Sequence, residues 1–314
     1  MSILCTKIEN VSEPMIRARI DPSTTDKFPF GSDYAFSSCV LPEKYIKIAD
    51  HIQNFKVRPD DVWVCSFPKS GTTWMQNIVY QLKNNLIMSE NYITPIYGFI
   101  ENSMLFRSNA DDAYTAIAQE ATDLIDELDK WPSPRIIKSH LPAYLLPQDI
   151  WTVKPKLIYT YRNPKDAAVS DYHFIHNSKN FKFTGSLEEY LDLFLTDQLE
   201  YAPFHANVNS YKQLKQLDHI MLITYEELSA DLVGIIKRIS EFLNCQYNDD
   251  QMERLAEYVS FRNMRTQGEE PKFFQKDFNF FRKGKVGGFR DEMNEEYIRR
   301  FNEWEKEHSY SEEK

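Results

Sequence analysis

The sequence predicts an α/β fold: a single domain with a central, mostly parallel sheet flanked by helices. Three observations lead there. Short apolar runs alternate with helix-length amphipathic segments, as a parallel sheet with helical crossovers requires. The chain has 314 residues, 42% of them hydrophobic, which suffices for one large core. It carries no Gly/Ser linker, internal repeat or low-complexity tract, so one domain over 1–314 is the simplest organisation.

Taken in order, residues 1 to about 55 read as an irregular polar segment with a turn around Phe28-Pro29-Phe30-Gly31. Asp61–Ser66 reads as a short buried strand. The turn Phe67-Pro68-Lys69-Ser70-Gly71 follows it, then a helix from Thr72 with Met75, Val79, Leu82 and Leu86 on one face. Arg135–Lys138, Lys156–Tyr161 and His219–Thr224 are further strand candidates. Ser186-Leu187-Glu188-Glu189 opens a helix with a capping-box pattern, and Glu226–Leu243 is one amphipathic run. The stretch 261–291 is rich in Arg, Lys, Phe and Gly and reads as a long functional loop.

Charge and cysteine usage narrow the function. A formal net charge of −10 argues against general binding to nucleic acid or anionic membrane, so any anion must be held by a local basic cluster. Cys5, Cys39, Cys65 and Cys245 are far apart and form no metal-ligand spacing, so no metal site is expected and a reducing compartment is. The N-terminus does not read as a signal peptide, and no apolar run approaches the roughly 20 residues that span a membrane. A cytoplasmic protein is expected.

Four stretches carry chemistry. Pro68-Lys69-Ser70-Gly71-Thr72-Thr73-Trp74 lies between a strand and a helix, a P-loop-like position where unpaired helix-start amides and the helix dipole hold anions. It is not a Walker A motif, since Lys69 precedes Gly71. Lys138-Ser139-His140-Leu141-Pro142 ends the second strand. There His140 can act as a general base, and Lys138, two residues earlier, points to the same side. Tyr161-Arg162-Asn163-Pro164 runs into a helix containing Ser170, and Arg162 can grip a phosphate with two parallel bonds. Phe280–Arg290 places glycines among cations, the composition of a loop that closes over an anionic ligand.

In order and approximate spacing, these four stretches resemble the cytosolic sulfotransferase family from about Arg58 to Phe289. The resemblance implies an enzyme that moves a sulfonyl group from 3′-phosphoadenylyl sulfate (PAPS) to a hydroxyl of a small acceptor. It releases adenosine 3′,5′-bisphosphate (PAP) and needs no metal. Lys69, Ser70, Gly71, Thr72 and Thr73 would then hold the phosphosulfate end. Trp74, Tyr225, Phe261 and Met264 would contact the adenine, with Ser260 and Phe281 beside them. Arg162 and Ser170 would bind the 3′-phosphate with Arg282, Lys283 and Gly284. His140 would be the general base, Lys69 would stabilise the departing bridging oxygen, and Lys138 the equatorial oxygens.

The chain departs from the family pattern in places, and the variations look like an invertebrate branch. Val259 replaces the usual Thr, Gly288-Phe289-Arg290 replaces Asp-Trp-Lys, and the C-terminal dimer motif is not recognisable in 290–299, which leaves the oligomeric state open. Tyr45, Phe67, Tyr97, Phe99, Phe106 and Tyr172 are candidate acceptor-pocket residues, pointing to a phenol, a steroid or a terpenoid alcohol. Three other readings compete. A sulfated allylic alcohol that eliminates sulfate would make the net reaction a dehydration. An ATP-dependent kinase would use the same cradle. A silent carrier would bind without turnover.

Overall fold

Four apolar runs pair into one parallel sheet. In chain order the strands are β1 (Ile3–Lys7), β2 (Met15–Ile20), β3 (Cys39–Pro42), β4 (Val62–Ser66), β5 (Ile136–Ser139), β6 (Lys156–Tyr161) and β7 (Ile220–Thr224). The parallel sheet has the order β5-β4-β6-β7. Its strands alternate strictly. Val62 and Val64 of β4 face one core with Ile158 and Ile223. Trp63 and Cys65 face the other with Ile137, Leu157 and Tyr159. Burial on both faces is why each strand reads as a nearly continuous apolar run. The computed structural model describes residues 2–9, 13–21, 34–88, 98–105, 123–179, 181, 183–267 and 280–308.

The helices are α1 (Tyr45–Gln53), α2 (Thr72–Lys83), α3 (Asp123–Lys130), α4 (Ile150–Val153), α5 (Pro164–Asn177), α6 (Leu187–Leu195), α7 (Phe204–Lys212), α8 (Tyr225–Ala230), α9 (Leu232–Phe242), α10 (Asp249–Tyr258), α11 (Phe261–Gln267) and α12 (Glu295–His308). Local sequence explains several boundaries. Asn163 caps α5 by accepting from the Lys165 amide, and Pro164 occupies its first turn. Ser186 and Glu189 form the expected capping box of α6. The run Glu226–Leu243 is two helices, because Asp231 leaves the helical region and caps α9 by accepting from the Gly234 amide.

The N-terminal segment corrects the reading of 1–55 as irregular. β1, β2 and β3 form an antiparallel sheet, and α1 follows. The missed signal is the period of two in Met15–Ile20, where Ile16, Ala18 and Ile20 are buried. These residues share a hydrophobic cluster with Trp63 and Leu157 of the parallel sheet.

Register sets where the chemistry lies. Cys65 pairs with Ser139, Ser66 with Thr160, and Tyr161 with Thr224. Phe67, His140, Arg162 and Tyr225 are therefore each the first residue beyond this ladder, at the carboxyl edge where α/β sheets collect ligands. The opposite edge is closed by Arg135, whose Nε and Nη2 donate to Asp61 Oδ1 and Oδ2 at 2.8 and 2.6 Å. Both side chains are fully buried.

Candidate active site

A cavity of about 520 Å³ opens at this carboxyl edge. Such a volume suits a small-molecule site. Its wall begins with the turn between β4 and α2. Lys69 and Gly71 both take left-handed backbone angles, φ 62° and 96°. At Gly71 a Cβ would stand 2.9 Å from Tyr225 Cδ2, so the close approach needs glycine. The first amides of α2 have no intrahelical acceptor and face the same turn. Among the described residues, Trp74 Nε1 and Arg162 Nε of this wall are buried with no hydrogen-bond partner, as is Ser70 Oγ behind the turn. Buried orphan donors around a concave wall are what an anionic nucleotide would satisfy.

The Lys69 ammonium lies between the rings of Phe174 and Phe280, 4.2 and 4.3 Å from their centroids. Burial pulls its pKa down from the ordinary lysine value. The Asp171 carboxylate opposes that shift, while the cations Lys138, Arg162 and Arg282 add to it. Asp171 is itself buried in the cavity wall and accepts a 2.7 Å bond from Tyr190 Oη.

His140 is held from every side. Its Nδ1 is 2.8 Å from the Ser66 carbonyl, and a carbonyl can only accept. Nδ1 therefore carries the proton, and Nε2 keeps its lone pair. The His140 amide donates to Glu101 Oε1 at 2.5 Å, and Asn207 Nδ2 donates to its carbonyl at 2.8 Å. The rings of Phe99 and Tyr201 pack edge-on against it at 5.2 and 5.4 Å. Burial, reinforced by the Lys138 charge, holds the imidazole pKa well below its usual value. Burial also lowers Lys138 to about 8 and raises Glu101 to about 7. Lys138 Nζ rests 4.1 Å over the Phe99 ring.

Arg162 joins the separate segments. Nη1 donates to the Lys69 carbonyl at 3.4 Å and Nη2 to the Lys285 carbonyl at 3.2 Å. Its guanidinium lies 4.1 Å from the Tyr225 ring centroid. Asp166, one turn into α5, accepts from the Gly287 and Phe289 amides at 2.7 and 2.9 Å. The basic loop is thereby pinned over the start of α5. Gly284 takes φ 60°, and a Cβ there would meet Phe261 Cδ2 at 2.3 Å. Trp74, Tyr225, Phe261, Met264 and Phe281 form an aromatic-rich end of the cavity, and Ser170, Arg282, Lys283 and Gly284 line it as well.

Lys69, Gly71, Thr72, Thr73, Lys138, His140 and Arg162 thus share one cavity, together with Phe99. Other expected residues fall elsewhere. Ser70 is fully buried behind the turn. Ser260 is outside the cavity wall, where its Oγ accepts from the Asn263 amide at 3.3 Å. Val259 is packed in the core, so this position offers packing in place of a polar contact. Tyr45 and Phe67 are core residues, a correction to their placement in the acceptor pocket. Tyr45 faces the main cluster, and Phe67 is wedged against Phe194 and Phe204. Tyr172 also lies outside the wall, packed against His173 and Tyr190. Tyr97 and Phe106 lie outside the described residues.

Sequence reasoning missed Glu101, Asp171, Phe174, Tyr190 and Tyr201. Phe174 had a signal, because it lies one turn after Ser170 on α5. Glu101 had none. It reaches His140 only because Phe99 bridges Lys138 in parallel along the edge of β5. Among the described residues, no group of three His, Cys, Asp or Glu is placed to hold a metal. No helix among them is long and apolar enough to cross a membrane.

The fold thus places a cation-lined small-molecule cavity at a strand–turn–helix. Residues 59–311 match the family model described as the sulfotransferase domain. The chain is 33% identical to sulfotransferase 1B1 of Canis lupus familiaris over 219 residues, 69% of this chain and 70% of that protein. It is 27% identical to luciferin sulfotransferase of Photinus pyralis, across 96% of this chain and 85% of that one. Mouse sulfotransferase SULT7A1 complexed with PAP superposes with a TM-score of 0.69 at 26% identity, covering 87% of this chain and 92% of that one. Retinol dehydratase in complex with androsterone and PAP shares the fold, with a TM-score of 0.80 at 24% identity over 94% and 90% of the two chains. The chain belongs to the sulfotransferase family. Its activity class is PAPS-dependent transfer of a sulfonyl group to a hydroxyl.

Proposed function

We propose that the cavity holds PAPS along the Lys69–Arg162–Arg282 wall, and that His140 deprotonates the hydroxyl of a small aromatic or apolar acceptor at its other end. The observation that carries this reading is the Arg162 guanidinium, which bonds the Lys69 turn and the basic loop in one cavity. PAPS supplies the sulfonyl group, and PAP leaves. The acceptor O–H proton passes to His140 Nε2 as its oxygen bonds sulfur and the bond from sulfur to the bridging oxygen breaks. Lys69 neutralises charge on the departing oxygen, and Lys138 does so on the equatorial oxygens. Arg162, Ser170, Arg282 and Lys283 bind the 3′-phosphate, while Trp74, Tyr225, Phe261 and Met264 hold the adenine.

The acceptor end is lined by Phe99, Leu105, Phe174, Phe183, Tyr190 and Tyr201, which supports a phenol, steroid or terpenoid alcohol. We place the protein in the cytoplasm, as one catalytic domain and in an invertebrate branch. The core cluster common to both sheets supports one domain, and the departures at Val259 and Gly288-Phe289-Arg290 are the ground for that branch.

Incubation with labelled PAPS and a panel of phenols, steroids and isoprenoid alcohols, read by product mass, tests the reading. Sulfate esters are expected. Dehydrated products would move the outcome to elimination, and turnover with ATP and Mg²⁺ but not PAPS would overturn it.

A further inference from the structure

Arg282 and Lys283 line the cavity, and one carboxylate outside the cavity wall holds both. Glu292 Oε1 accepts from Arg282 Nη1 at 2.5 Å and from Lys283 Nζ at 2.8 Å. Its Oε2 bonds His173 Nε2, on α5. Burial alone would raise the Glu292 pKa, but Lys283, Arg282 and His173 hold it down to about 2. Glu292 sits on a rigid support. Its amide and that of Met293 donate to the Phe289 carbonyl at 3.0 and 2.8 Å, and Phe289 and Met293 are buried. Neither Glu292 nor His173 reaches the cavity.

We propose that Glu292 is a positioning residue that orients Arg282 and Lys283 toward the 3′-phosphate of the nucleotide. Arg has five donors and Lys three; Lys283 Nζ also donates to Asp291 Oδ2 at 3.3 Å, yet both cations keep donors for a ligand. Long cationic side chains lose much rotamer freedom on binding, and a fixed carboxylate behind them removes part of that cost in advance. Glu292 also places a negative charge near the phosphate, which acts in the opposite direction. Its charge is offset by the Arg282 and Lys283 cations that it holds, so ordering of the two cations dominates.

The inference rests on the proposed nucleotide site, and two variants separate their failures. PAP and AMP, which differ by the 3′-phosphate, are titrated calorimetrically against the parent, Glu292→Gln and Arg282→Ala. For Glu292→Gln, PAP affinity should fall about tenfold, the scale typical of outer-shell partners of bound ions, while AMP affinity stays within about twofold. If Arg282→Ala weakens PAP selectively but Glu292→Gln binds PAP as tightly as the parent or tighter, Glu292 does not position these cations. Equal losses of PAP and AMP in Glu292→Gln would also overturn the role, because the residue would then be merely structural. If Arg282→Ala leaves PAP affinity intact, the nucleotide assignment fails first, and the role of Glu292 with it.

Discussion

Replacing His140 with alanine removes the imidazole proposed as the general base. Its Nδ1–H is committed to the Ser66 carbonyl, so Nε2 is the free base. A positioned general base contributes about 10²–10⁴-fold, or roughly 2.7–5.5 kcal/mol of barrier. Turnover of His140→Ala should fall by that factor. PAP affinity measured by calorimetry should change little, because the cations proposed to hold its phosphates, Lys69, Arg162, Arg282 and Lys283, lie on other segments. The pH profile gives an independent check. Burial and the Lys138 charge depress the imidazole pKa, so the neutral base persists as pH falls through 6.5. The acid limb of kcat/KM should lie below the ordinary histidine range. Turnover of His140→Ala within about threefold of the parent would refute the assignment. So would a His140-dependent acid limb at or above pH 6.5.

Three further outcomes follow from named contacts. Arg162→Ala should weaken PAP far more than AMP, by roughly 10- to 100-fold for a charge-assisted phosphate contact worth about 1.5–3 kcal/mol; equal losses in competitive titration would count against it. Gly71→Ala should destabilise the fold by about 1–3 kcal/mol and weaken PAP binding, since φ is 96° and the new Cβ pushes the Tyr225 ring that supports Arg162. Thermal unfolding and calorimetry read the two effects. Asp61→Asn takes the fully buried counter-charge from Arg135 and leaves it the exposed Asp129 carboxylate at 3.2 Å, so it should cost about 3 kcal/mol in denaturant unfolding, the lower end for a broken buried pair. PAP affinity of the variant that remains folded should be unchanged, because the pair closes the opposite edge of the sheet.

Particular residues show how far the sequence could be read. All four parallel strands were legible because strands buried on both faces leave unbroken apolar runs. The turn at Lys69 was legible because its physics is local: a strand end, a glycine and a helix start. The N-terminal sheet was not, since its inward positions, Ile16, Ala18 and Ile20, show the strand period over too short a run. The cavity wall was harder still. Aromaticity and nearness to a motif do not distinguish Phe99, in the wall, from Phe67, in the core.

By itself the sequence determined the fold class, the family and the four cationic segments, because each is encoded in residues close together along the chain. Only the tertiary structure decided which groups meet across it. Examples are Glu101 at the His140 amide, Asp171 near Lys69, Asp166 clamping Gly287, and Glu292 behind Arg282. Those contacts join residues separated by up to 121 positions, set by strand register and by how α5 packs. No periodicity or spacing records that distance, because burial, charge and hydrogen-bond satisfaction act in space, whatever the separation along the chain.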